Sequence, residues 1–194
     1  MRRVLEIGGL VAGVILVGFG VAVIALALNG RSTVRDELKQ QQIAGTPDMT
    51  PAAIREEAAK AGLKNVDLPT CTVARKAVTN GSTARCFAQY MRIHALEATG
   101  GQPYAQMPRY ATADGEGTND AAAAEKGANG RPLDNPARNV WVTETALSTA
   151  LNVSYMAEQL ALFSLVVGVA LLLTGVGFLV LAAGGALRRT RPAA

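Results

Sequence analysis

The chain has 194 residues, 49% of them hydrophobic and 18% charged, and a formal net charge of +4. Once its two long apolar stretches are set aside, room remains for one soluble domain of roughly 100 to 150 residues. Arg2, Arg3, Arg188, Arg189 and Arg191 against Glu6 account for the whole charge, because residues 29–159 hold 14 Lys plus Arg and 14 Asp plus Glu; no nucleic-acid partner is expected from that balance.

Residues 7–28 contain no charge, no Pro and no strongly polar side chain. As a helix they reach about 33 Å, enough for a hydrocarbon layer of about 30 Å. Ala25-Leu26-Ala27 has the small-residue pattern of a signal-peptide cleavage site. The apolar run before it is longer than a signal peptide requires and lacks a polar stretch ahead of the site, so an uncleaved transmembrane helix is preferred. The good helix formers from Ser32 to Ile43 extend this helix outward, with no breaker before Gly45.

Thr50-Pro51 supplies an N-cap followed by Pro at the first helical position, and Gly62 stands where a C-terminal cap belongs, so a helix is expected from Pro51 to Ala61. A second is expected from Thr70 through Cys71 to Thr79, stopping at a turn on Asn80-Gly81. Ser82 or Thr83 then opens a third, running through Cys86, Phe87, Tyr90, Met91 and His94 to Gly100-Gly101. Cys71 and Cys86 are the only cysteines. In a translocated, oxidising compartment they are expected to pair and to staple two helices into a hairpin. Their spacing is not CxxC, which favours a structural bridge over redox catalysis.

Residues 101–138 are rich in Gly, Pro, Asn, Asp and Ala and read as a long irregular loop, pinned by Tyr104, Met107 and Tyr110. From Asn139 a helix is expected to run without a breaker into the second apolar stretch, residues 160–187, with Trp141 packing in the outer domain. The arginines beside both stretches place both termini in the cytoplasm by the positive-inside rule. The expected layout is an all-α membrane protein: a cytoplasmic N-terminus (1–6), transmembrane helix (7–28), mainly helical, disulfide-stapled extracytoplasmic domain (29–159), second transmembrane helix (160–187) and cytoplasmic C-terminus (188–194).

Small residues mark candidate packing faces within the spans. Gly9 and Gly13 form a GxxxG pair and Gly18 and Ala22 a second small pair, while Ala161, Gly168, Gly175 and Ala182 recur every seven residues. Such positions let helix backbones approach closely where lipid removes the hydrophobic drive, either within the chain or between subunits of a homo-oligomer or larger membrane complex. Neither span carries an ionisable residue, which argues against a channel or transporter built by this chain alone.

No catalytic, cofactor or metal site is expected. The single histidine, His94, shares a helix face with Glu97 three residues on, but two ligands do not make a site. No GxSxG, SxxK, GxGxxG or GxxxxGK[ST] pattern is present.

The run His94-Ala95-Leu96-Glu97-Ala98-Thr99-Gly100-Gly101, with Tyr104-Ala105 after it, and the run Ala146 to Asn152 before the second span resemble a family of small two-span actinobacterial membrane proteins without an established function. Members often carry the label aromatic ring-opening dioxygenase. Such enzymes hold non-haem iron with two His and a carboxylate, and one histidine cannot complete that set. The resemblance implies instead that the His94–Gly101 segment forms a helix end held against the helix that enters the membrane. The function expected on these grounds is that of a non-enzymatic envelope protein, an accessory or assembly subunit; the alternative is an extracytoplasmic module that binds a ligand or a wall component.

Overall fold

The structure is a computed structural model that describes residues 2–184, with side-chain surroundings from residue 4 onward. The expected C-terminal segment 188–194, with its three arginines, and the end of the 160–187 stretch lie outside the described residues. Four α-helices follow in chain order: α1 (Arg2–Gln40), α2 (Pro51–Lys60), α3 (Gly81–Ala98) and α4 (Ala137–Ala183), with a 3-10 turn at Tyr104–Gln106. Among the described residues there is no β-strand, only isolated bridges. The chain divides into two compact units, one of Met1–Asp36 with Met156–Ala194 and the other of Glu37–Tyr155. α1 and α4 contribute to both.

The first unit is an antiparallel pair formed by the apolar parts of α1 and α4. Both helices are long and apolar enough to cross a membrane, and only 17% of each apolar window is buried inside the protein. Their seam is built from small residues, most of them seven apart. On α1 the buried positions are Gly9, Gly13, Gly20 and Ala27; on α4 they are Gly168, Gly175 and Ala182. A spacing of seven keeps a seam continuous along two helices that wind gently around each other.

The second unit has a small core of Met49, Ile54, Val73, Val78, Phe87, Tyr90, Ile93, Trp141 and Leu151, all buried. The start of α2 follows the sequence expectation: the Thr50 hydroxyl accepts the Ala53 N–H at 3.2 Å, and Pro51 is the first helical residue. At its end Gly62 turns left-handed at φ 67°, and the Leu63 and Gly62 N–H groups return to Ala58 and Ala59. α3 ends in the same way. Gly100 is left-handed at φ 61°, and the Gly101 N–H donates to the Leu96 carbonyl at 2.7 Å, an arrangement that satisfies carbonyls the last turn would leave free.

Two expectations are corrected here. Residues 71–79 are not helical. Instead the Val78 N–H donates to Ile43, the Gly45 N–H to Lys76, the Arg75 N–H to Gly45 and the Val73 N–H to Met49. The segment is thus an irregular ribbon laid against residues 43–49. Its β-branched Val73 and Val78, each 1% exposed, suit an extended backbone that buries them singly, and that burial outweighs a weak helical propensity. Helix α3 also begins earlier than expected. Asn80 does not turn the chain: its side chain accepts the Thr83 N–H at 2.9 Å while the Thr83 hydroxyl accepts the Asn80 N–H at 3.2 Å, making Asn80 the N-cap and Gly81 the first residue of the helix.

Residues 101–136 contain no α-helix, yet they are ordered by their own backbone. Tyr110 and Thr118 exchange hydrogen bonds at 2.9 Å, and Ala111, Glu125 and Leu133 are joined in a ring by three more of the same length. Asn135 anchors its end, donating to the Pro108 carbonyl and accepting from the Ala137 N–H where α4 begins. Met107 is buried as expected, whereas Tyr104 is 44% exposed.

Candidate functional site

The cysteines, the small residues of the helix pair and His94, singled out from the sequence, all lie among the described residues. Cys71 and Cys86 are joined in a disulfide. It links the irregular 71–79 ribbon to the first turns of α3, not one helix to another. One helical turn after Cys86, the buried Tyr90 donates its hydroxyl to the Cys71 carbonyl at 2.7 Å. The ribbon is therefore fastened at Cys71 by both a covalent bond and a hydrogen bond. Burial pushes the Tyr90 phenol above its ordinary pKa, which keeps it protonated as the donor.

In the helix pair, Gly13 and Gly175 face each other. A Cβ on Gly175 would lie 2.8 Å from the Gly13 carbonyl oxygen and 2.8 Å from the Val17 nitrogen; one on Gly13 would lie 3.0 Å from the Gly175 oxygen. Gly20 and Gly168 form a second reciprocal crossing, with a Cβ on Gly20 only 2.7 Å from the Leu172 nitrogen and one on Gly168 3.0 Å from the Gly20 oxygen. Gly20 was not singled out from the sequence, although it stands seven residues after Gly13 and that period was the available signal. Gly9 is buried, but Gly18 has nothing within 4 Å of its Cβ position and Ala22 is exposed, so that small pair faces away from the seam.

Beyond the glycine crossings the same unit holds an ion-pair cluster. Arg31 and Arg35, one helical turn apart on α1, reach the Glu158 carboxylate at 2.9 and 3.0 Å. The Glu158 side chain is 9% exposed and the arginines about two-fifths. Removing one partner of such a pair leaves a largely desolvated charge, which costs more than the pair itself contributes.

In the second unit α3 lies along the first part of α4. The Thr99 hydroxyl donates to the Ala95 carbonyl, and the buried Trp141 indole donates to the Gln102 carbonyl at 2.9 Å and reaches the Thr99 hydroxyl at 3.2 Å. The guanidinium groups of Arg92 and Arg85 sit over the rings of Trp141 and Tyr155. The glycine-capped end of α3 is thereby docked on α4. Farther along the 101–138 segment, Arg138 covers the Tyr104 ring at 4.2 Å, and Arg109, Asp134, Asn139 and Val142 complete a groove of about 420 Å³ around them.

His94 has neighbours that sequence spacing did not reveal. Glu97 is exposed. The His94 Nε2 atom instead faces Asp48, 3.3 Å from its Oδ2, and Glu57, 3.6 Å from its Oε2. Asp48 lies in the turn before α2, Glu57 within α2 and His94 on α3, so the packing of α2 on α3 assembles the group. A hydrogen bond with Thr46 holds the Asp48 carboxyl below its ordinary pKa against a smaller upward push from burial, and the charge of His94 adds the least of the downward pulls. No local motif joins residues 37 and 46 positions apart, which is why this set is not legible before folding. Compared with protein families, with curated proteins and with solved structures, the chain matches none.

Proposed function

We propose that the chain is a non-enzymatic integral membrane protein of the cell envelope, an accessory or assembly subunit that displays its Glu37–Tyr155 unit on the extracytoplasmic side with both termini in the cytoplasm. One observation carries this reading: the uncharged stretches of two long helices meet through Gly13, Gly20, Gly168 and Gly175 while most of their remaining apolar surface stays outside. Val11, Val14, Phe19 and Leu26 of α1 and Leu160, Phe163, Val166 and Leu173 of α4 are all more than half exposed. Apolar patches of that extent require lipid or a protein partner to cover them. The seam also supports an uncleaved first helix, because its loss would leave Gly168 and Gly175 facing nothing. The resemblance of the His94–Gly101 and Ala146–Asn152 runs to two-span membrane proteins points the same way.

The seam binds the chain to itself, so a homo-oligomer or larger complex would use the outward faces or the extracytoplasmic unit. The groove around Tyr104, Arg109 and Arg138 favours a second reading, a module that binds an anionic ligand or wall component there. Two measurements test the proposal. A cysteine introduced at the exposed Ala122 is expected to react with a membrane-impermeant reagent in intact cells, and a reporter fused at Ala194 to be active only in the cytoplasm. Purification in mild detergent is expected to retain a stoichiometric protein partner. Reaction of Ala122→Cys only after lysis would overturn the topology, and co-elution of a small molecule without a protein would favour the binding module.

A further inference from the structure

The Asp48, Glu57 and His94 side chains form the most chemically specific cluster among the described residues. Each offers one ligand atom, and the three atoms lie within 4.8 Å of one another. Three separate elements bring them together, a turn, α2 and α3, so the convergence is not a by-product of one helix face. The His94 Nε2 atom is buried and makes no hydrogen bond, although two carboxylates stand beside it. A buried ring nitrogen that makes no hydrogen bond carries a cost. Its distances to the two carboxylate oxygens, 3.3 and 3.6 Å, are close to the spacing of two ligands on one tetrahedral ion, about 3.3 Å for bonds of about 2.0 to 2.1 Å.

We infer that Asp48, Glu57 and His94 form a binding site for a first-row divalent cation of the zinc class. One imidazole and two carboxylates are a borderline-hard donor set that suits Zn²⁺ better than Mg²⁺ or Ca²⁺, which prefer oxygen alone. The half-buried side chains leave room for water or a partner's ligand to fill the remaining position. A cation there ties the turn before α2 and α2 itself to α3, at a point separate from the Cys71–Cys86 bridge.

The test uses the full chain in detergent, stripped with EDTA and desalted. Titration with Zn²⁺ in a calorimeter is expected to show one equivalent bound, and Co²⁺ to give the visible absorption of a four-coordinate ion. His94→Asn is expected to weaken Zn²⁺ binding by at least about tenfold, with Asp48→Asn and Glu57→Gln also weakening it and Glu97→Gln leaving it unchanged. If His94→Asn does not fold, protection of wild-type His94 from diethyl pyrocarbonate by Zn²⁺ gives the same answer. Absence of saturable Zn²⁺ uptake, uptake indifferent to His94 in the variant or the footprint, or equal binding of Ca²⁺ would overturn the site. None of these readouts depends on sidedness or on a protein partner, so the cation site and the proposed function can fail separately.

Discussion

Both units bring backbone against backbone, and both use glycine to do it, but they arrange the contact differently. In the helix pair the approach recurs: Gly13 meets Gly175, Gly20 meets Gly168, and Ala27 and Ala182 continue the two rows. In the Glu37–Tyr155 unit the tightest approach stands by itself at Gly45, where a Cβ would overlap the Val73 carbonyl oxygen. A periodic contact spreads its energy over several similar crossings and leaves a trace in the sequence. A single crossing between an irregular ribbon and the end of another segment concentrates its effect on one residue and leaves none.

The largest expected effect follows from that concentration. Gly45→Val puts a branched side chain where a backbone oxygen already stands, so the 43–49 and 73–78 segments must separate and lose their mutual hydrogen bonds. A destabilisation of about 3 kcal/mol or more is expected, at the upper end of overpacking costs. It can be read from thermal unfolding of the Glu37–Tyr155 unit's near-ultraviolet signal, which depends on Trp141. Wild-type unfolding by Gly45→Val would show that the ribbon's pairing contributes little and that the core alone holds the unit.

The helix pair is expected to respond less to each change, because neighbouring crossings remain. Gly168→Ile drives its side chain into the Gly20 carbonyl and the Ile24 backbone, and a cost of about 1 to 3 kcal/mol is expected. Gly177→Ile is the matched control, since nothing lies within 4 Å of its Cβ position. Leu172 would be a poor control because its own backbone lines the Gly20 crossing. A cysteine pair placed across the seam should cross-link more slowly in Gly168→Ile and at the wild-type rate in Gly177→Ile. Equal rates in both variants would mean that the glycines are a matter of composition and not of packing.

These contrasts also show what could be read before folding. The two apolar helices, the continuation of α1 to Gln40, the α2 caps and the Cys71–Cys86 pair depend on local composition, on cap chemistry or on there being only two cysteines. The heptad of α4 was visible for the same reason, and its partner row on α1 was only half recognised because Gly18 and Ala22 imitate a seam on the wrong face. The ribbon at 71–79 departs from its local helical signals because its structure comes from residues 43–49, about 30 positions away. Helical spacing sets His94 beside Glu97, whereas packing brings it to Asp48 and Glu57. Local rules find what a segment can do alone and miss what a distant segment makes it do.

The smallest expected effect concerns one place where the local rule was present but misapplied. Asn80-Gly81 is a good turn dipeptide, yet Asn80 is equally a good N-cap, and Thr83 three residues later completes a reciprocal cap. The Thr83 hydroxyl also accepts the Thr79 N–H, so the cap joins the ribbon's end to the start of α3. Asn80→Ala should therefore cost about 1 kcal/mol, with Asn80→Asp nearly neutral because its carboxylate can accept the same Thr83 N–H and suits a helix N-terminus. Because α3 carries Cys86, Tyr90 and His94, fraying of its first turn is expected to raise amide exchange at Gly81 to Thr83 while leaving exchange near His94 unchanged. Exchange that rises along the whole of α3 would mean that the cap, and not the packing of α3 on α2 and α4, sets the helix's stability, and the contrast between a locally capped start and a tertiary-packed body would fail.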